Sequence, residues 1–422
     1  IGHMGPDPAD ITVIGDQHIH IGCIGMEGGT LAWPTSFSPA DFPRIKWSGT
    51  NSVALPEAES FTWDWSRSSV AEGMMFMYDN PHTLNFTRVK STGGAGLVLG
   101  AGRTAQVDAD SSVASPRGLT DPWKLVLNDG ASFKLVNASS RVSMPLDITV
   151  NGSGNVEFAG SRGSVVAHRL VVDGEEKPKG IYWRDDCSFV EGKLPAAAIM
   201  VPHIWTGAGD GTSWNDPDNW DDGTVPMAEG DVADISRASS ITLNEAIVLD
   251  GLIAMPNGAE RKVTVTGSGS VTLRTVQAYS AVVLVPEGCE LVFDVNVYRD
   301  KAAVIGFSGG GRFTVKKIFP GCAPSSISAY IAVDGTLAFA GSAATIQNMN
   351  NAGYAFLSVW SHEKGGSGNV LFEEGADFTC TRLTACANGY MVPNEFRQTG
   401  GRTTFDNFYL NAGNTTAGAP YY

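Results

Sequence analysis

The chain has 422 residues, of which 43% are hydrophobic, 17% charged and 50 glycine, and it carries a formal net charge of -15. Charged residues well under the usual quarter and glycine well above the roughly 7% norm are the profile of a secreted β-protein with a real core. The net negative charge excludes a nucleic-acid partner, whose phosphates require clustered Lys and Arg. It also opposes polyanionic glycans unless calcium bridges them, and with no run of about 18 or more apolar residues no membrane insertion is expected.

In chain order, Gly2-His3-Met4 lacks the apolar core of a signal peptide and reads as an expression scar, so the chain is expected to be a fragment of a larger protein. Asp16, His18 and His20 come next. Alternation puts His18 and His20 on one face, where they could share a metal, and Asp-x-His-x-His resembles the first metal motif of amidohydrolases. Those enzymes need a barrel with alternating helices and further ligands at strand ends. The other histidines (His3, His82, His168, His203, His362) are isolated, so two histidines on a solvated strand face are the favoured reading. Residues 61–78, with Trp63, Trp65 and the cluster Met74-Met75-Phe76-Met77, read as a longer loop or lateral flap, the methionines filling core.

Helical periodicity is almost absent. Apolar and polar residues alternate over short runs closed by Gly, Asn, Asp or Pro, the pattern of strands. Such runs fall at 97–99, 123–127, 132–136, 147–150, 155–158 and 169–172, and then at 262–266, 270–273, 281–285, 290–293, 312–315, 330–333, 336–339 and 369–372. A theme recurs in them: Gly, one or two small or polar residues, then apolar–any–apolar, as in GSGNVEF, GSGSVTL, EGCELVF, GGGRFTV, DGTLAF and GSGNVLF. Triplets starting at Val271, Leu291, Phe313 and Leu337 are spaced by 20, 22 and 24 residues, and the next, at Val370, follows after 33. A step of that size is one coil of a β-solenoid, in which stacked coils bury a continuous apolar column. The longer step predicts an insertion at 348–360 that projects as a loop.

Between the two series lies WTGAGDGTSWNDPDNWDDGTVP at 205–226, three tryptophans (Trp205, Trp214, Trp220) on a Gly/Asp/Asn scaffold. It reads as the opening of a new module, which divides the chain into a first solenoid module over 1–202 and a second over 203–422. The expected fold is all-β, a right-handed parallel β-helix or related solenoid. Tandem β-sandwich modules are the alternative, because their short strands give the same local pattern.

Two adjoining segments resemble large secreted proteins of environmental bacteria with autotransporter-associated β-strand repeats. LVVDGEEKPKGIY at 170–182 with FVEG at 189–192 is similar to the closing pattern of such modules, and 205–226 with DVADI at 231–235 to their opening pattern. The match covers about a tenth of the chain, which lacks any membrane-pore domain. The resemblance implies a secreted or cell-surface solenoid with a structural or adhesive role.

Chemistry is sparse. Asp210, Asp216, Asp218, Asp221 and Asp222 supply the oxygen ligands calcium prefers, but without EF-hand spacing. The favoured reading has them bonding nearby backbone amides while the tryptophans cap the apolar end of the solenoid. The adjacent carboxylates Asp185-Asp186, Glu175-Glu176 and Glu373-Glu374 point to opposite faces of a strand or into solvent. Trp33, Trp47, Trp63, Trp65, Trp123, Trp183 and Trp360 either stack on sugar rings or belong to the core. Cys23, Cys187, Cys289, Cys322, Cys380 and Cys386 form no zinc pattern; the favoured reading is six buried free thiols, and the alternative is a small-loop disulfide between Cys380 and Cys386, which are close enough in sequence. No catalytic residue and no cofactor is nominated, calcium remaining open. The expected role is a non-catalytic structural or adhesive segment that binds an extracellular glycan or surface protein or associates end to end. A polysaccharide-degrading β-helix enzyme or a glycan-binding module is the alternative.

Overall fold

The computed structural model describes continuous stretches at 95–107, 122–136, 146–159, 164–192, 197–256, 260–274, 282–299, 310–317, 335–340, 368–385 and 395–410. It further describes 75–79, 81, 83–87 and single strands at 11–12, 23–26, 29–32, 44–47, 50–54, 60–64, 69–70, 112–114, 141–143, 305–308, 319–320, 330–333, 346–347 and 356–360. The chain divides into two compact units, Ile1–Pro178 with Tyr182–Val201, and Lys179–Ile181 with Pro202–Tyr422.

In the first unit the chain circulates through two long sheets and, on a third side, two short parallel sheets, Cys23–Met26 with Arg44–Trp47 and Ser69–Val70, and Ser112–Ala114 with Arg141–Ser143. One long sheet runs from Ile11–Thr12 through Met75–Tyr78, Gly96–Leu99, Trp123–Leu127, Leu146–Val150 and Ser164–Val172 to Ala198–Val201, paired in parallel throughout. The other stacks Ser60–Asp64, Thr83–Thr87, Thr104–Val107, Ser132–Leu135, Asn155–Phe158 and Val190–Gly192, again in parallel. One strand per sheet per circuit is a solenoid coil. Parallel ladders along both sheets exclude the sandwich alternative, whose sheets are antiparallel. Strand alternation turns every second residue inward, so Phe76, Leu97, Leu125, Ile148 and Leu170 stack as one buried column. Leu84, Ala105, Phe133, Val156 and Val190 form the facing one.

The second unit repeats the plan with a nine-stranded sheet from His203–Ile204 to Arg402–Leu410 and an eight-stranded sheet from Ser240–Thr242 to Glu395–Gln398. Val263, Leu291, Phe313, Leu337, Val370 and Phe396 fall in register on the latter. The steps of 22, 24 and 33 residues read from the sequence are therefore true coil steps, but the first step is not. Leu291 stacks on Val263, and Val271 stacks on Val297. The strand Lys262–Leu273 has a register shift between Thr266 and Ser270, so two successive triplets belong to one coil. Gly267 makes that shift possible: its φ is +128, and a Cβ there would lie 2.1 Å from the Leu243 carbonyl oxygen.

Three further expectations are corrected. Within 61–78 the described Ser60–Asp64 and Met75–Tyr78 are regular sheet members rather than loop, while 65–68 and 71–74 lie outside the described residues. Met75 and Met77 are not core filler: Phe76 and Tyr78 take the inward positions, which leaves Met75 half-buried and Met77 39% exposed, while Met74 lies outside the described residues. The insertion at 348–360 does not project as a whole, since Phe356–Trp360 pairs with Tyr330–Val333 and Asp377–Ala385. Residues 348–355 lie outside the described residues.

Candidate functional site

The second unit begins with an edge strand, His203–Ile204, paired in parallel on Val232–Asp234. An open edge presents unpaired N–H and C=O groups that recruit other strands. Here 219–221 runs back alongside it. Ile204 N–H donates to Asp221 Oδ1 at 2.8 Å, and the Ile204 carbonyl accepts from Asp221 N–H at 2.9 Å. Trp205 and Trp220 form an antiparallel bridge, and Thr206 N–H donates to the Asn219 carbonyl at 2.7 Å. The same loop closes the other sheet: Thr242 N–H donates to the Thr212 carbonyl at 2.8 Å, and Trp214 N–H to the Thr242 carbonyl at 3.0 Å. One segment thus finishes both sheets of this unit.

Trp205, Trp214 and Trp220 come together as the apolar lid and join the core cluster of the coils. Trp220 packs edge-on against Trp205, with ring centroids 5.2 Å apart, and against Trp214 at 5.0 Å. The buried indole N–H groups are satisfied within the loop, Trp214 Nε1 by the Pro226 carbonyl and Trp220 Nε1 by the Trp214 carbonyl, both at 2.9 Å. Each such aromatic pair contributes about 0.5–1.5 kcal/mol beyond the area it buries.

Asn219 organises the loop. It is fully buried, and its amide makes four hydrogen bonds: Oδ1 accepts from Gly209 N–H and Gly211 N–H at 3.0 Å each, and Nδ2 donates to Asp210 Oδ1 and to the Ser213 carbonyl at 2.9 Å each. It closes a short 3₁₀ turn, Pro217–Asn219, for which Asp216 is the N-cap and Pro217 supplies a preset φ. The second oxygen of Asp216 accepts from Asp210 N–H at 2.8 Å. At Gly209 a Cβ would stand 2.3 Å from that oxygen, so the approach demands glycine.

The aspartates divide into separate tasks. Asp210 accepts from Ser213 N–H at 2.7 Å and Thr212 N–H at 2.8 Å, and these bonds, with the Asn219 amide, hold its carboxyl below the usual range. Asp218 lies in the 3₁₀ turn and donates its N–H to Asp216. Asp221 also pairs with Lys179 at 2.9 Å, and Asp222 accepts from Thr224 N–H at 3.0 Å. Asp222 Oδ2 lies 2.8 Å from Nδ1 of the buried His203, whose Nε2 is 3.7 Å from Asp231 Oδ1. Asn219, His203 and Asp231 were not singled out from the sequence. Asn219 had a signal, as the residue that follows Asp216-Pro217-Asp218 directly before a tryptophan. Among the described residues no three His, Cys, Asp or Glu side chains form a metal-holding group, and His18 and His20 lie outside the described residues.

Mixed-charge clusters stand on the outward sheet faces. In the first unit Lys134 pairs with Glu157 at 2.6 Å, and Ser132 donates to Asn155, which donates to Glu191. In the second, Arg312 bonds Glu290 at 3.0 Å and also Glu373, while Thr314 donates to Glu290 at 2.8 Å. Arg312 therefore fills the space that two cooperating carboxylates would need for a water or a sugar. The adjacent pairs are divided in the same way: Glu176 goes to Arg169, Glu175 to Lys177, and Asp185 to Arg184. Trp123 and Trp183 are buried and offer no sugar platform. Trp33 and Trp65 lie outside the described residues, and Trp47, Trp63 and Trp360 are described only as strand positions. Cys187 and Cys289 are free thiols, Cys187 pushed up to about 11 by burial and the nearby Asp186. Cys386, the proposed partner of Cys380, lies outside the described residues.

Comparison of the chain with protein-family models, with curated proteins and with solved structures finds no match in any of the three.

Proposed function

We propose that this chain is a non-catalytic structural or adhesive β-solenoid segment of a larger secreted or cell-surface protein, of the kind built from autotransporter-associated β-strand repeats. The observation that carries this reading is how the polar side chains are used. On the outward faces carboxylates are neutralised by cations from nearby coils, as in Glu290–Arg312–Glu373 and Lys134–Glu157. At the end of the second unit the aspartates are taken up by backbone N–H groups. Rigid stacked coils of this sort build length and present side chains at fixed spacing. Calcium has no structural task in the 205–226 loop on this reading, so a chelator leaves the melting temperature unchanged.

The second reading, a polysaccharide-degrading enzyme, would place its carboxylates at Glu290 and Glu373. Incubation with a panel of neutral and uronate-containing polysaccharides, followed by reducing-end and unsaturated-product assays, separates the two. No product is expected. Product formation that disappears in both Glu290→Gln and Glu373→Gln variants would replace the structural reading with the enzymatic one.

A further inference from the structure

The outward face of the first unit's large sheet carries two neighbouring columns of different chemistry. Met77, Val98, Val126, Thr149 and Val171 follow one another in register on five successive strands. Met77 is exposed, Val98, Val126 and Thr149 are half-buried, and Val171 is buried. Two residues earlier on the same strands stand Lys124, Asp147 and Arg169, also in register, with Lys124 and Arg169 exposed. Residues two apart on a strand share a face. The face is therefore an aliphatic stripe beside a column whose charge alternates from strand to strand. It lacks the aromatic rings on which sugars stack. Arg169 is held by Glu176 at 2.8 Å. Asp147 is left partly desolvated, and burial raises its carboxyl above the usual range against the opposing pull of His168, Arg169 and Lys124.

We infer that this face docks a second copy of the chain, face to face, about a twofold axis that runs parallel to the strands between Trp123–Leu127 and Leu146–Val150. Such an axis lays each column on its own copy with the strand order reversed. Val126 then meets Thr149 of the second copy, and symmetry repeats the contact. Lys124 meets Asp147 of the second copy, and symmetry forms the same ion pair again. The charge order selects this register: an axis through Leu146–Val150 itself would set Asp147 against its own copy and Lys124 against Arg169. Five strands about 4.8 Å apart make a stripe about 20 Å long, too short and narrow to bury the roughly 800 Å² per partner of a standard interface. The association is accordingly weak, with a dissociation constant of about micromolar or above.

The test is sedimentation of the full chain over a wide concentration range. A monomer–dimer equilibrium is expected, with the dissociation constant raised about tenfold or more by K124D or by D147K alone and restored in the K124D/D147K double variant, which re-forms both pairs with reversed polarity. V126K is expected to abolish the dimer while the circular dichroism spectrum and melting temperature certify folding. A wild-type chain that stays monomeric throughout overturns the proposal. So does a dimer indifferent to all three changes, or a monomer whose retention on a polysaccharide matrix is lost in V126K, which would assign the face to a glycan.

Discussion

Asn219 and Asp210 hold each other in place: Asn219 Nδ2 donates to Asp210 Oδ1 at 2.9 Å, and the same oxygen collects the Ser213 and Thr212 N–H groups. The pair joins the strand-closing stretch 219–221 to the stretch 212–214 that closes the other sheet. Each residue needs the other, since a buried amide and a carboxylate collecting N–H groups both require filled partners. Asn219→Ala removes four hydrogen bonds and takes the buried partner away from the exposed Gly209 and the half-buried Gly211 and Ser213. At about 0.5–1.5 kcal/mol net per hydrogen bond, the loss of the four is expected to reach about 2 kcal/mol or more in denaturant unfolding of the second unit.

Acid sensitivity follows from Asp210. Its folded-state pKa is depressed, so the carboxylate favours the folded state above the ordinary carboxylate range, and that contribution disappears as pH falls through the depressed value. Melting temperature is expected to drop on acidification below about pH 4. Asp210→Ala is expected to lower it at neutral pH and to flatten the acid limb. An unchanged acid limb in the variant would show that other carboxylates carry the effect.

Asp147 has the opposite sign. Desolvation raises its pKa in the folded chain, so the folded state holds the proton more tightly than the unfolded one, and stability declines as pH rises from the ordinary carboxylate value through the raised one. Asp147→Asn is expected to stabilise the first unit above that window and to leave it unchanged below. Thermal melts at low protein concentration, where the proposed dimer is dissociated, check this directly.

Gly267 sits at a corner that tolerates no side chain. Gly267→Ala forces either a shift of the Leu243 carbonyl or a new register for Lys262–Leu273, and is expected to cost about 1–3 kcal/mol. Ser268→Ala is the control, because Ser268 is exposed and only the 3.3 Å contact of its hydroxyl to Asn244 is lost.

Much of the coil architecture was legible because a strand's inward residues repeat at every second position and glycine marks the corners. Phe313 and Leu337 stack with the spacing read from the sequence. Val271 misled because one strand bends through Gly267 and places two apolar triplets in a single coil, a three-dimensional fact that no local spacing encodes. At 205–226 the density of Trp, Asp and Asn marked a special loop. The assignment of each carboxylate oxygen to an N–H group up to 17 residues away, as for Asp221 and Ile204, needed the fold. Arg312 between Glu290 and Glu373 was equally invisible, because the 61 residues separating Arg312 from Glu373 include two further strands of its own sheet.

Amide hydrogen exchange at Ile204, Thr206, Trp214, Asp221 and Thr242 tests most directly whether one loop seals both large sheets of the second unit. Slow exchange is expected at all five in the wild-type chain, and acceleration at both sheet edges together in Asn219→Ala. Fast exchange at these amides in the wild type, or acceleration confined to one edge in the variant, would contradict a seal by one loop.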